Sequence, residues 1–129
     1  MIRITLTSVL VDDQEKAARF YTDVLGFAPK LDLPLGDARW LTVVSPADPD
    51  GTQLLLEPAN NDVGRTIQSL LREAAIPATT FEVDDVRAEY ERLASLGVTF
   101  TTEPVDIGTA TIAVLDDTCG NLIGLHRPH

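Results

Sequence analysis

The sequence predicts an α+β fold built from two βαβββ modules, and three observations lead there. The phrase Val11-Asp12-Asp13 returns as Val83-Asp84-Asp85. After each phrase, apolar residues recur at helical spacing: Ala17, Phe20, Tyr21, Val24 and Leu25 in the first copy, Val86, Tyr90 and Leu93 in the second. Each helical stretch then closes on Leu-Gly, at Leu25-Gly26 and Leu96-Gly97, and extended runs follow. One short sheet with one helix leaves its other face open to water. Two modules are therefore expected to place their uncovered faces together around a shared cavity. The boundaries read as 1–58 for the first module, 59–77 for a connector with a helix and 78–129 for the second, all within one domain, 1–129.

Residues 2–11 alternate with the two-residue period of a strand, Ile4, Leu6, Ser8 and Leu10 on one face and Thr5, Thr7, Val9 and Val11 on the other. Asp12 or Asp13 is placed to cap a helix from about Gln14, since a carboxylate there accepts from the free N–H groups of the first turn. Gly26 supplies the left-handed residue that ends it. A short edge-like strand over 27–33 is interrupted by Pro29 and ended by Pro34-Leu35-Gly36. Residues 39–44 put Trp40, Thr42 and Val44 on one face, and 45–51 form a loop rich in Pro, Asp and Gly. In the strand over 53–57, Gln53, Leu55 and Glu57 share a face, and Pro58 stops it.

The connector turns helical over 63–75, with Ile67, Leu70, Leu71 and Ala74 as an apolar stripe. Such a stripe is expected to pack on the body of the protein or on a second subunit. The second copy runs as a strand over 78–83, with Ala78, Thr80 and Glu82 on one face. A helix capped by Asp84 or Asp85 follows, then strands over 98–102, 109–115 and 122–125. A turn around Gly120 precedes the last strand, and His126-Arg127-Pro128-His129 reads as a tail.

The totals exclude several classes. Twenty acidic against ten basic residues give a formal charge of −10, which repels a phosphate backbone, so no nucleic acid partner is expected. No apolar run approaches the roughly 20 residues of a membrane span, and the first residues read as a strand, not a secretory signal, so the expected setting is cytoplasmic with no membrane partner. The single cysteine, Cys119, has no partner for a disulfide or a thiolate zinc site.

The ordered phrases Val11-Asp12-Asp13, Phe20-Tyr21-Thr22 and Val24-Leu25-Gly26-Phe27 are followed by Phe81-Glu82-Val83-Asp84-Asp85, Tyr90-Glu91-Arg92-Leu93 and Leu96-Gly97-Val98. Asp116-Asp117-Thr118-Cys119-Gly120-Asn121-Leu122-Ile123 closes the series. Together they make the chain similar to the vicinal oxygen chelate superfamily, which includes glyoxalase I, bleomycin-resistance proteins and extradiol dioxygenases. The resemblance covers nearly the whole chain and implies the glyoxalase/bleomycin resistance-like fold and homodimers. It implies little about chemistry, because one scaffold hosts many functions.

Metal-dependent members carry His or Gln late in the first strand of each copy and Glu in the last. Aligned through the shared phrases, those four positions fall on Leu6, Glu57, Ala78 and Gly124. Only Glu57 has a ligand atom, and a lone carboxylate seldom holds a catalytic metal. The expectation is therefore no metal and no cofactor.

Two groups remain as candidates for catalysis. Glu57 is either a base or anchor facing the cavity, or a solvated strand end paired with an arginine such as Arg39. His126, two residues after Gly124 on the same face, is either a proton carrier or a tail residue. Leu6, Ser8, Trp40, Thr42, Leu55, Thr80 and Gly124 are the candidate cavity lining. Ser8 lacks a nucleophile context and Cys119 reads as a turn residue.

The leading expectation is a metal-free protein that binds a small apolar or aromatic molecule between the modules. The alternatives are a glyoxalase-like lyase or isomerase, or a dioxygenase-like enzyme, using Glu57 as base or residual ligand, and a dimeric interaction module.

Overall fold

A computed structural model describes residues 1–129. The chain forms two compact units, Met1–Thr66 and Ile67–His129, each a four-stranded sheet with a helix on one face. The two βαβββ modules expected from the repeat are present, within an α+β fold.

In the first unit β1 (Leu6–Val11) leads into α1 (Gln14–Arg19), a π-helical turn (Phe20–Val24), β2 (Ala28–Leu35), β3 (Ala38–Val44) and β4 (Gln53–Pro58). The strand order is β1-β4-β3-β2, with β1 parallel to β4 and the rest antiparallel. The second unit holds β5 (Thr79–Glu82), α3 (Val86–Ser95), β6 (Phe100–Asp106), β7 (Ala110–Asp116) and β8 (Leu122–Pro128), in the equivalent order β5-β8-β7-β6. Between them in sequence lies α2 (Asp62–Glu73), which spans the division between the units.

The helix-side residues of the strands form the cores. Val9 and Val11 of β1, Leu41 and Val43 of β3, and Leu54 and Leu56 of β4 are buried with Ala17, Phe20 and Tyr21 of the helix. The second unit repeats this with Ala113, Leu115, Ile123 and Leu125 buried with Val86 and Leu93. Asp13 and Asp85 are the caps, each accepting at 3.0 Å from the backbone N–H three residues on, of Lys16 and Ala88. Gly26 and Gly97 close the helices at φ +95° and +90°, a region costly for any residue with a Cβ.

Several expectations are corrected. The first strand begins at Leu6, not Ile2, because pairing to β4 starts there; Ile2 and Ile4 are exposed. The first helix does not run uniformly to Leu25. Its last turn widens, with the Leu25 N–H reaching the Phe20 carbonyl at 3.0 Å, and the neighbours Phe20 and Tyr21 are both buried, edge to face at 5.7 Å. β2 continues through Pro34 and β6 through Pro104, where a turn and a loop were expected. Both are edge strands, where a missing N–H leaves no ladder bond unmade.

The expected tail is strand instead. β8 runs to Pro128 along β7, and the His129 N–H donates to the Thr109 carbonyl at 2.9 Å. Of the two packings expected for the connector helix, the one on the body of its own chain is not the one its apolar stripe makes. Its apolar residues Val63, Ile67 and Leu70 are exposed, whereas polar Gln68 is buried and Arg72 bonds Asp116 at 2.7 Å.

Candidate functional site

Each sheet carries its helix on one face only, so the opposite face is where this sequence has put side chains with no helix to bury them. In the first unit that face is fixed by register. Leu6 lies opposite Gln53, Ser8 opposite Leu55 and Leu10 opposite Glu57, while Thr42 of β3 lies opposite Leu55 and Trp40 opposite Leu33 of β2. Residues paired across strands point the same way, so the first unit gathers Leu6, Ser8, Trp40, Thr42, Leu55 and Glu57 on one surface. Leu6, Ser8 and Glu57 are exposed there, Trp40 is half-buried, and Leu55 and Thr42 are buried.

Thr42 does not offer its hydroxyl outward. That group donates to Gln53 Oε1 at 2.8 Å and accepts from the Leu31 N–H at 3.2 Å, where β2 bulges against β3. Glu57 makes no ion pair, and Arg39 is not available to it: the guanidinium grips Asp32 through two bonds of 2.9 and 2.8 Å and Glu15 through one of 2.7 Å. These partners raise the Arg39 pKa, the Asp32 hydrogen bonds contributing most, and Arg39 in turn holds the Asp32 carboxyl below its ordinary value.

In the second unit Thr80 lies opposite Gly124, and Glu82 opposite His126, with Val114 and Ile112 continuing those two rows on β7. Thr80, Gly124 and His126 thus share the open face. Gly124 is a glycine for a packing reason: a Cβ there would stand 2.5 Å from Thr80 Oγ1 and 3.2 Å from its Cβ. The threonine side chain fills the place a larger residue at 124 would need.

The two registers also correct the expected equivalence of Glu57 and Gly124. Ser8 faces Leu55 as Thr80 faces Gly124, so Leu55 is the structural counterpart of Gly124. The counterpart of Glu57 is His126, one pleat further along, opposite Leu10 and Glu82 respectively. Glu57 and Gly124, which the resemblance aligns with the two glutamate positions, are therefore not structural equivalents of each other. Within each unit, no group of three His, Cys, Asp or Glu side chains is arranged to hold a metal ion.

Two features were not foreseen from the sequence. Gln14, the first helical residue, sends its side chain between β3 and β4, where Nε2 donates to the carbonyls of Arg39 at 2.7 Å and Leu56 at 2.8 Å and Oε1 accepts from the Arg39 N–H at 3.0 Å. The available signal was the contrast with Val86, which follows the second Val-Asp-Asp as Gln14 follows the first. The other feature is the turn before β8. Buried Asp117 accepts from the N–H groups of Cys119 and Asn121 at 2.7 and 2.9 Å and from Asn121 Nδ2 at 2.8 Å. Gln68 of α2 seals this turn, donating to the Cys119 carbonyl at 3.0 Å, which leaves Cys119 a fully buried turn residue.

With this geometry in hand, known proteins supply a frame. Residues 3–125 match the model of the Glyoxalase/Bleomycin resistance protein/Dioxygenase superfamily. YurT, an uncharacterized protein of Bacillus subtilis strain 168, is 52% identical over 122 residues, covering 95% of this chain and 96% of its own. Among solved structures, UcmS2 superimposes with a TM-score of 0.84 at 33% identity, over 98% of both chains. TnmS3, an antibiotic binding protein from Streptomyces sp. CB03234, gives a TM-score of 0.77 at 29% identity, over 100% of this chain and 98% of its own.

Proposed function

The chain belongs to the glyoxalase/bleomycin resistance protein/dioxygenase superfamily, and from that premise we propose that it is a metal-free member binding a small apolar or aromatic organic molecule. The ligand would lie against the open sheet faces. The observation that carries this reading is the chemistry of those faces: Leu6, Ser8, Trp40 and Leu55 share one in the first unit and Thr80 and Gly124 one in the second, and of the four positions that the resemblance aligns with metal ligands, Leu6, Glu57, Ala78 and Gly124, only Glu57 has a donor side chain. An apolar surface with an aromatic side chain and a few polar groups suits an organic guest better than a hydrated cation. Similarity to an antibiotic binding protein supports the same class of ligand. Recognition would rest on Trp40 stacking, with Ser8 and Thr80 lending hydroxyls at the rim.

Trp40 is the one tryptophan of the chain, so binding has a built-in reporter. A panel of aromatic antibiotics, bleomycin included, should contain compounds that quench Trp40 fluorescence and raise the melting temperature. Elemental analysis of the freshly purified protein should find no stoichiometric divalent metal. Stoichiometric metal, or a panel without one stabilising compound, would overturn the proposal.

Self-association belongs to the same reading. The exposed apolar residues of β1 and α2, among them Leu6, Ile67 and Leu70, are surface that a second copy would cover. Sedimentation at micromolar concentration should show a dimer.

A second reading is supported by the equivalence of Glu57 and His126. A carboxylate and an imidazole at matching positions of two sheets are the parts of an acid–base pair, and a lyase or isomerase could use Glu57 as base. In that case Glu57→Gln should abolish turnover with the melting temperature nearly unchanged.

A further inference from the structure

The two units form an internal comparison, because one repeats the other's architecture with a single informative exchange. In the second unit Val86 is buried at the start of α3, and β7 and β8 pair without interruption from Asp116 opposite Leu122 to Ala110 opposite Pro128. In the first unit Gln14 takes the place of Val86, and direct pairing of β3 with β4 is confined to Thr42 opposite Leu55 and Val43 opposite Leu54. Beyond those pairs, the Arg39 N–H, the Arg39 carbonyl and the Leu56 carbonyl bond the Gln14 amide. A side-chain amide with hydrogen bonds to both strands does not fit between backbones at the usual spacing of about 4.8 Å. The strands are therefore parted where the second unit's strands close.

What stands at the parted end is specific. Continuing the register from Thr42 and Leu55 by two residues brings Trp40 of β3 and Glu57 of β4 to the two banks of the opening, both on the open face. Gln14 enters from the helix side. Their counterparts in the second unit, Ile112 and His126, form an ordinary cross-strand pair.

We propose that Gln14 is a positioning residue for the first sheet's binding face: it props β3 and β4 apart so that Trp40 and Glu57 flank a slot that admits the edge of a flat aromatic ligand. This rests on the binding function proposed above. A glutamine is suited to the task because its amide supplies both donors and an acceptor to replace the lost ladder bonds. Valine at this position, as in the second unit, would let the strands close and bring Trp40 and Glu57 within a cross-strand contact of roughly 5 Å.

The test is Gln14→Val in the full-length protein, followed by NMR and by titration with the neutral aromatic dye Nile red. The expected result is a new cross-strand nuclear Overhauser contact between the Trp40 and Glu57 backbones, absent in the wild type, together with at least tenfold weaker dye binding. Persistence of the opening in Gln14→Val overturns the proposal, as does closure with unchanged dye affinity. If Gln14→Val does not fold, Gln14→Glu is used, which keeps the acceptor for the Arg39 N–H and loses both donated bonds. It should destabilise the opening, read as altered amide exchange at Arg39 and a shifted Trp40 emission; unchanged exchange and emission overturn the proposal. Failure of the wild type to bind Nile red, or any member of the antibiotic panel, would instead count against the binding function, while the strand contact still decides the role of Gln14.

Discussion

Glu57 and His126 hold the same place in their two sheets, Glu57 opposite Leu10 on the first strand of its module and His126 opposite Glu82 on the first strand of the other. Neither side chain is used to hold its own unit together: Glu57 is exposed without an ion pair, and the His126 ring lies half-buried on the open face. Polar groups that do no structural work on the open face are, under the proposed binding function, candidates for recognition. Glu57→Gln and His126→Asn should each shift the melting temperature by no more than about 2 °C, as exposed sites do. Each should weaken binding of the best antibiotic from the panel severalfold, measured by Trp40 quenching. Unchanged affinity in both variants would remove them from the site.

The glycine at 124 should be intolerant of any side chain. A Cβ placed 2.5 Å from Thr80 Oγ1 forces the threonine to move, so Gly124→Ala should cost about 1–3 kcal/mol by denaturant unfolding. Removing the obstacle with Thr80→Gly in the same chain should recover most of that loss, a coupling that a double-mutant cycle measures directly. Additive effects would mean that the close approach is relieved elsewhere.

The turn before β8 depends on one buried carboxylate. Asp117→Ala strands the N–H groups of Cys119 and Asn121 without acceptors in a buried setting, which should cost about 3 kcal/mol and lower the melting temperature by roughly 10 °C. Gln68→Ala should do less to global stability. Its signature is faster amide exchange along the second half of α2, which Gln68 ties to the turn through the Cys119 carbonyl and Asn121 Oδ1. No change in exchange would show that Arg72 and Asp116 suffice.

The acid limb of stability should carry the mark of Asp32. Its two hydrogen bonds with Arg39 lower its folded pKa below the ordinary 3.8, so the unfolded chain takes up the proton first as pH falls. The contribution is complete above the unfolded value and is lost as pH drops through the lowered folded one. Asp32→Asn should flatten the stability profile below about pH 4 and leave its shape near neutrality unchanged, with the difference shrinking in high salt because the pair is exposed. A profile identical to the wild type would show that the pair adds nothing.

The sequence by itself determined the duplicated architecture. Val-Asp-Asp marks a strand end followed by a cap, and the caps at Asp13 and Asp85 and the closures at Gly26 and Gly97 depend on local geometry that any reader of the chain can locate. It also determined which residues of a strand share a face, because alternation is a property of neighbouring residues, although burial runs through both faces from Leu41 to Val44 and from Leu54 to Leu56. Tertiary structure decided the row along that face. Sliding a strand by two residues keeps every side chain on its own face, so pattern alone could not tell whether Glu57 or Leu55 matches Gly124; only hydrogen bonding to β1 fixes it. The same holds for α2, whose contacts within its own chain are made by Gln68 and Arg72 while Ile67 and Leu70 of the apolar stripe stay exposed, and for Gln14. Its length and hydrogen-bonding capacity are visible in the chain, but the strands that it separates meet only in the folded sheet.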